Sequence, residues 1–367
     1  MTIARRGPTG PVSRIDPAAS YARPRLEGAD LLRLDSNEGP APPRQLLGKL
    51  AAADPELLRR YRDASALEAA LASWIGVPAD RVMVSAGADE AIDRACRAFL
   101  DRGRTVVLPD PTFELFDRFT ALAGGHVRRV PWRGGAFPVD SFLDRLDART
   151  GVIAVVSPNN PTGSVATLAD VRRLAAAAPT ALLLLDHAYV EYADEDLTPA
   201  VLDLPNVLVV RTMSKAWGLA GCRVGYAIGS PYVVSVLRAA GGPYPVAAPS
   251  IALALHQLEG GLEPLRAHVA RVREERAALS ARLAARGLAP PPSQANFVFA
   301  DFGPRAALVC AGLAALGVLV RDFPLRAGIE TALRITLPGD PTHFERLCVA
   351  LDTVLAAARA DVREVRS

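Results

Sequence analysis

Arg211-Thr212-Met213-Ser214-Lys215-Ala216-Trp217-Gly218-Leu219-Ala220-Gly221-Cys222-Arg223-Val224-Gly225-Tyr226 decides the reading of this chain. A β-branched run, Val207 to Thr212, leads into two hydroxyls, a lysine, a turn of small residues and an arginine, and a second apolar run, Val224 to Ile228, follows. Short buried strands with polar residues at their ends are the signature of an α/β sheet, whose ligands sit beyond the carboxyl ends of its strands. Lys215 stands out by count as well as by place. Of the 42 basic residues only Lys49 and Lys215 are lysines. Arginine stays charged, whereas a lysine can lose its proton and attack a carbonyl carbon. Lys49 falls on a surface-helix pattern and is read as a leftover of arginine-biased usage.

Outward from this stretch, further runs predict strands at Val82 to Ser85, Thr105 to Leu108, Val152 to Val156 and Ala181 to Asp186. Helical patterns lie between them at Asp89 to Leu100, Phe113 to Ala123 and Leu168 to Ala178. Their apolar runs are continuous rather than alternating, which predicts a mostly parallel sheet buried on both faces. Gly241-Gly242-Pro243-Tyr244-Pro245 breaks the pattern. A long helix from Leu262 to Arg286 follows, with Leu262, Leu265, Val269, Val272, Leu279 and Leu283 on one face. Strands at Asn296 to Phe302, Gly317 to Val320 and Leu333 to Leu337, and a closing helix begun by Asp340 and Pro341, complete a smaller α+β unit. The expected division is an N-terminal arm (1–40) packing with the small domain, a large domain (41–245) and a small C-terminal domain (246–367).

The chain has 367 residues, 22% of them charged, and a net charge of only +3, the balance of a folded protein with a large core and without a basic nucleic-acid-binding stripe. The longest leucine run, Leu182 to Leu185, is far too short to span a bilayer. No nucleic-acid or membrane partner is expected, and the compartment expected is the cytoplasm. Cys96, Cys222, Cys310 and Cys348 are widely spaced and no histidine pair has ligand spacing, so neither a metal site nor a disulfide framework is expected.

The residues after each strand form a coherent set. Ser85-Ala86-Gly87-Ala88-Asp89-Glu90 opens a helix, where free amides suit a phosphate. Pro109-Asp110-Pro111-Thr112-Phe113 brings an aromatic ring, and Ser157-Pro158-Asn159-Asn160-Pro161-Thr162-Gly163 brings a rigid polar loop. Asp186-His187-Ala188-Tyr189 places an acid at a buried strand end, where an unpaired carboxylate is costly. Together with the lysine, hydroxyls and arginine of 211–223, these groups match pyridoxal 5'-phosphate: an aldehyde for an amine, a phosphate, a phenolate oxygen and a ring nitrogen that needs a proton.

Asn159-Asn160-Pro161-Thr162-Gly163 and the 211–226 stretch resemble the histidinol-phosphate aminotransferase branch of the fold-type I pyridoxal-phosphate aminotransferases, and the resemblance runs collinearly from Asn37 to Thr336. It implies that fold, a large domain with a mostly parallel sheet plus a smaller α+β domain. It also implies roles. Lys215 would carry the cofactor and then move the substrate proton, Asp186 would keep the pyridine nitrogen protonated, and Asn160 and Tyr189 would hydrogen-bond the phenolate oxygen. Phe113 would stack on the ring, with Phe116 the alternative. The amides of Gly87, Ala88 and Asp89, the hydroxyls of Thr212 and Ser214, and Arg223 would take the phosphate. Tyr61 would reach the phosphate of a neighbouring subunit, making the active unit a homodimer with shared sites.

On the substrate side the resemblance implies Arg334 as the carboxylate clamp, with Arg321, Tyr21 and Asn160 beside it. The implied reaction moves an amino group between a small amino acid or amino-alcohol phosphate and 2-oxoglutarate or another 2-oxo acid. His187 stands where the family usually has an acid, and Tyr21-Ala22-Arg23-Pro24, Arg62 and Tyr244-Pro245-Val246 also depart from its pattern. The neighbouring activities are therefore a paralogue acting on aromatic or specialised amino acids and a lyase of the threonine-phosphate decarboxylase type. A non-catalytic regulator on the same fold is disfavoured, because no helix-turn-helix pattern precedes residue 40 and the whole catalytic set is present.

Overall fold

The computed structural model describes residues 30–364. Two sheets organise the chain. The strands, in order, are β1 (Leu32–Leu34), β2 (Val82–Ser85), β3 (Thr105–Asp110), β4 (His126–Pro131), β5 (Thr150–Val156), β6 (Leu182–Asp186), β7 (Val207–Thr212), β8 (Gly225–Gly229), β9 (Phe297–Asp301), β10 (Val318–Asp322) and β11 (Ala332–Thr336). The larger sheet runs β2-β8-β7-β6-β5-β3-β4, and the smaller runs β1-β10-β11-β9. In the larger sheet only β8 is antiparallel to its neighbours, β2 and β7, and the other pairs are parallel.

Every residue of β5, β6, β7 and β8 is buried, as expected for strands covered by helices on both faces. The helices that matter for the site are α1 (Gly87–Phe99), α2 (Leu115–Ala123), α3 (Leu168–Ala177), α4 (Ala248–Gly260), α5 (Leu262–Ala284) and α6 (Pro341–Glu364). Thr167 caps α3 through a reciprocal pair with Asp170, and Asp340 accepts the His343 amide at the start of α6. Gly287, with φ of 79°, provides the left-handed turn after α5 that a side chain would resist.

The sequence patterns place the buried strands within a residue or two. Two strands lie outside them. β4 is an edge strand with mostly exposed or half-exposed residues, so His126-Val127-Arg128-Arg129 carries too little apolar signal. β1 has only three residues and is recognisable only by its parallel partner β10, which lies near the other end of the chain. Ile251, Ala254 and Leu258 of α4 pack in the same core as β5, β6 and β7. We therefore propose a two-domain division that counts α4 with the larger sheet rather than starting the small domain at residue 246.

The fold brings the carboxyl ends of β3, β5, β6 and β7 together at one end of the sheet. Residues 35–40 cross over that end. A side chain at Gly39 would run into the Lys215 carbonyl, so only glycine lets the two backbones approach there.

Candidate active site

At this sheet end lies a cavity of about 860 Å³ whose wall includes Asp186, Tyr189, Thr212, Ser214, Lys215 and Arg334. Phe113 and Asn160 line it as well, whereas Phe116 is fully buried among core residues of α1 and β3. Lys215 donates to the Ser36 carbonyl at 3.2 Å. Burial and the nearby Arg334 guanidinium pull its amine down to about 8. An appreciable neutral fraction at neutral pH is what an amine needs to work as nucleophile and base.

Asp186, at the end of β6, is 3% exposed. Among the described residues its hydrogen bond comes from the Ala188 backbone amide at 3.0 Å. Burial pushes its carboxyl up to about 7, and Lys215 offsets only part of that. A buried acid with one amide donor, facing a cavity, is a group built to meet a cation or an N–H supplied from outside.

Thr212 donates to Ser214 Oγ at 2.9 Å, the Ser214 amide donates to Thr212 Oγ1 at 3.0 Å, and Arg223 reaches Ser214 Oγ at 3.4 Å. The first turn of α1 closes this cluster. Gly87 has φ of 78°, and a Cβ there would lie 2.5 Å from the Arg223 guanidinium. A Cβ at Gly225 would overlap the Gly87 backbone, so β8 and the start of α1 touch main chain to main chain. Amides at a helix start, two hydroxyls and a guanidinium make an anion cradle. The Asp89 carboxylate sits 3.0 Å from Arg223. What Asp89 offers an anion is therefore its amide, and its side chain orients Arg223.

Asn160 Oδ1 accepts from Arg334 at 2.6 Å, and the Tyr189 hydroxyl accepts from Asn37 Nδ2 at 3.0 Å. Burial raises the Tyr189 phenol above its usual value, so it stays protonated. Arg334 also donates to the Asp35 carbonyl at 2.7 Å. Asn37, which the sequence reading names only as the start of the resemblance, has a role of its own here. Its backbone is left-handed, with φ of 57°, and it bridges Tyr189, Thr336 and Asn296. Asparagine tolerates that conformation better than most residues, which is its one local signal.

Arg321 lines the cavity too, opposite Arg334 in the β10–β11 register. Tyr61 does not line it. The ring of Tyr61 is 85% exposed and stacks on Tyr244 with centroids 5.0 Å apart. Tyr21 lies outside the described residues. His187, 1% exposed, points away from the cavity, with Nδ1 3.3 Å from Thr198 Oγ1, and burial pulls its pKa down to about 3. It packs as a neutral ring beside the Arg211–Asp196 pair, and the carboxylates Asp196 and Glu191 hold Arg211 charged despite its burial.

The cavity thus gathers an amine, a buried acid, an anion cradle and a guanidinium at one sheet end. Residues 30–351 match the family model of aminotransferase class I and II. The chain is 34% identical over 349 residues to the histidinol-phosphate aminotransferase of Granulibacter bethesdensis, covering 92% of this chain and 93% of that one. It is 35% identical over 347 residues to histidinol-phosphate aminotransferase 2 of Pseudomonas fluorescens, covering 91% of each. The histidinol-phosphate aminotransferase of Sinorhizobium meliloti, solved in complex with pyridoxal 5'-phosphate, superposes with a TM-score of 0.80 at 26% identity, covering 89% of this chain and 91% of that one. The L-threonine-O-3-phosphate decarboxylase of Porphyromonas gingivalis shares the fold, with a TM-score of 0.75 at 22% identity over 89% of this chain and all of that one. The chain belongs to the aminotransferase class I and II family and is an aminotransferase of the pyridoxal-phosphate-dependent fold type I.

Proposed function

We propose that this aminotransferase moves an amino group from a donor of the histidinol-phosphate or amino-acid type to 2-oxoglutarate or another 2-oxo acid. We propose further that it works in the cytoplasm as a homodimer with shared sites. The observation that carries the reading is Lys215, one of two lysines in the chain, held with an amine near 8 in the same cavity as a buried acid, an anion cradle and Arg334.

The residues fit pyridoxal 5'-phosphate, because the isolated Asp186 carboxyl and the Thr212–Ser214–Arg223 cradle lie on the cavity that holds Lys215. Bound there, the cofactor supplies an electron sink for the pair left on the substrate α-carbon when its proton departs. The protein supplies the rest. Asp186 would keep a proton on the ring nitrogen, an N–H that would give the buried carboxylate the partner that solvent no longer supplies. Phe113 would cover the ring, and Tyr189 and Asn160 would hydrogen-bond its oxygen. Lys215 would hold the cofactor through its neutral amine and, once free, would act as the base that moves the substrate proton. Arg334 fixes the substrate carboxylate or phosphate with two parallel N–H donors, and its contact with Asn160 ties substrate and cofactor recognition together.

The test is the visible spectrum of the protein loaded with cofactor as histidinol phosphate, phenylalanine, glutamate and threonine phosphate are added singly. The expected result is loss of the band with one of them and its return on addition of 2-oxoglutarate. A band unmoved by every donor, or carbon dioxide released from threonine phosphate without a 2-oxo acid, would overturn the reading.

A further inference from the structure

Asp35, Ser36 and Asn37 cross the sheet end, and each meets a different group of the cavity. The Asp35 carbonyl accepts from Arg334 at 2.7 Å, the Ser36 carbonyl accepts from Lys215 at 3.2 Å, and the Asn37 side chain donates to the Tyr189 hydroxyl at 3.0 Å. The first two contacts use main-chain oxygens that any residue supplies. The third depends on a side chain. Asn37 is 1% exposed, and its backbone, with φ of 57°, is in a conformation that asparagine, aspartate and glycine tolerate and most other residues resist.

The Asn37 amide is held on both sides. Thr336, two residues beyond Arg334 on β11, donates its hydroxyl to Oδ1 at 2.8 Å, which leaves Nδ2 to donate to the Tyr189 oxygen. Asn296 donates to the Asn37 carbonyl at 3.3 Å, so the backbone is fixed as well. Phe297 meets the Tyr189 ring edge-on, with centroids 5.2 Å apart. A tyrosine hydroxyl has one proton to give and an oxygen that accepts. With that oxygen taken by Asn37 and Tyr189 on the cavity wall, the proton is left for an acceptor in the cavity. Each donor in such a chain polarises the next, so the amide also strengthens the bond that the hydroxyl gives.

We propose that Asn37 is a positioning residue: by donating to the Tyr189 oxygen it aims the Tyr189 proton at the phenolate oxygen of the cofactor and strengthens that hydrogen bond. The proposal rests on the function proposed above in that Tyr189 reaches this oxygen. A hydrogen bond to the phenolate favours the form of the cofactor in which the oxygen keeps its full charge, the form that has given up the proton on the nitrogen joined to Lys215. The pH midpoint of the cofactor's visible band therefore reads the bond without turnover.

The test is a spectroscopic pH titration of the protein loaded with pyridoxal 5'-phosphate. Tyr189→Phe removes the bond and should raise the midpoint. Asn37→Gly suits the left-handed backbone and removes only the amide. It should raise the midpoint by about half to one pH unit, roughly a three- to tenfold change in the acid constant. In the Tyr189→Phe background the same substitution should move nothing, because the hydroxyl through which Asn37 acts is gone. Asn37→Asp keeps the shape but replaces the donor with an acceptor that claims the tyrosine proton, and should raise the midpoint at least as far as Tyr189→Phe does. A midpoint unchanged in Asn37→Gly or in Asn37→Asp would overturn the proposal. So would a shift of equal size with and without the Tyr189 hydroxyl, which is what a merely structural role gives. A midpoint that Tyr189→Phe itself leaves in place would overturn it together with the placing of Tyr189 at the cofactor, whereas donors that fail to change the spectrum while these shifts are present would strike at the proposed reaction and leave Asn37 its role.

Discussion

Asp186→Asn should stabilise the protein stripped of cofactor while damaging the enzyme that contains it. The buried carboxyl is pushed from its ordinary 3.8 up to about 7. A raised acid pKa means that the folded chain holds the proton more tightly than the unfolded one, so native stability falls as pH climbs from about 4 to about 7, and the whole penalty is present above 7. Three pKa units correspond to about 4 kcal/mol. At pH 5 only the first part of the penalty has accrued, about 1 to 2 kcal/mol. Asparagine keeps the shape and can still accept from Ala188 but carries no charge. The attraction between the carboxylate and Lys215 is already contained in that raised pKa, so the net gain expected at pH 8 is about 4 kcal/mol, shrinking to about 1 to 2 at pH 5. Urea unfolding at fixed protein concentration, read by the fluorescence of the buried Trp217, measures the gap. A variant less stable than the native chain at pH 8, or a gain that does not change with pH, would refute the account of Asp186.

Because the chain has two lysines, a titration followed on isotopically methylated amines should show one side-chain signal with its midpoint near 8, and Lys215→Arg should remove it. Arg334→Lys should raise KM for the clamped substrate about ten- to a hundredfold, since a point charge replaces a fork of parallel donors, and steady-state kinetics reads it. If Tyr61 serves the neighbouring subunit, two inactive variants, Tyr61→Ala and Lys215→Ala, should regain activity when unfolded together and refolded as mixed dimers, whereas refolding each alone should not.

What could be read in the sequence was whatever local chemistry signals. Val152 to Val156 and Leu182 to Leu185 declare doubly covered strands because every position is apolar, and Asp186 and Lys215 declare themselves because an acid and a rare amine stand at such strand ends. Contacts made across the chain left no local trace. Asn37 meets Tyr189 152 residues away, and Arg334 meets Asp35 299 residues away. Nothing near either residue encodes its partner. The Asp89 carboxylate turned out to hold Arg223 for the same reason: its place beside a β7–β8 turn is set by the sheet rather than by its neighbours. The edge strand β4 was hidden because one of its faces meets water, where arginine and histidine serve as well as valine.

The account stands or falls on Lys215, and a single measurement addresses it. The protein loaded with pyridoxal 5'-phosphate is reduced with borohydride, digested and analysed by mass spectrometry. The expected result is the cofactor fixed to the peptide that contains Lys215 and lost from that peptide when a productive amino donor is added before reduction. Cofactor on the Lys49 peptide, or on neither, would contradict it.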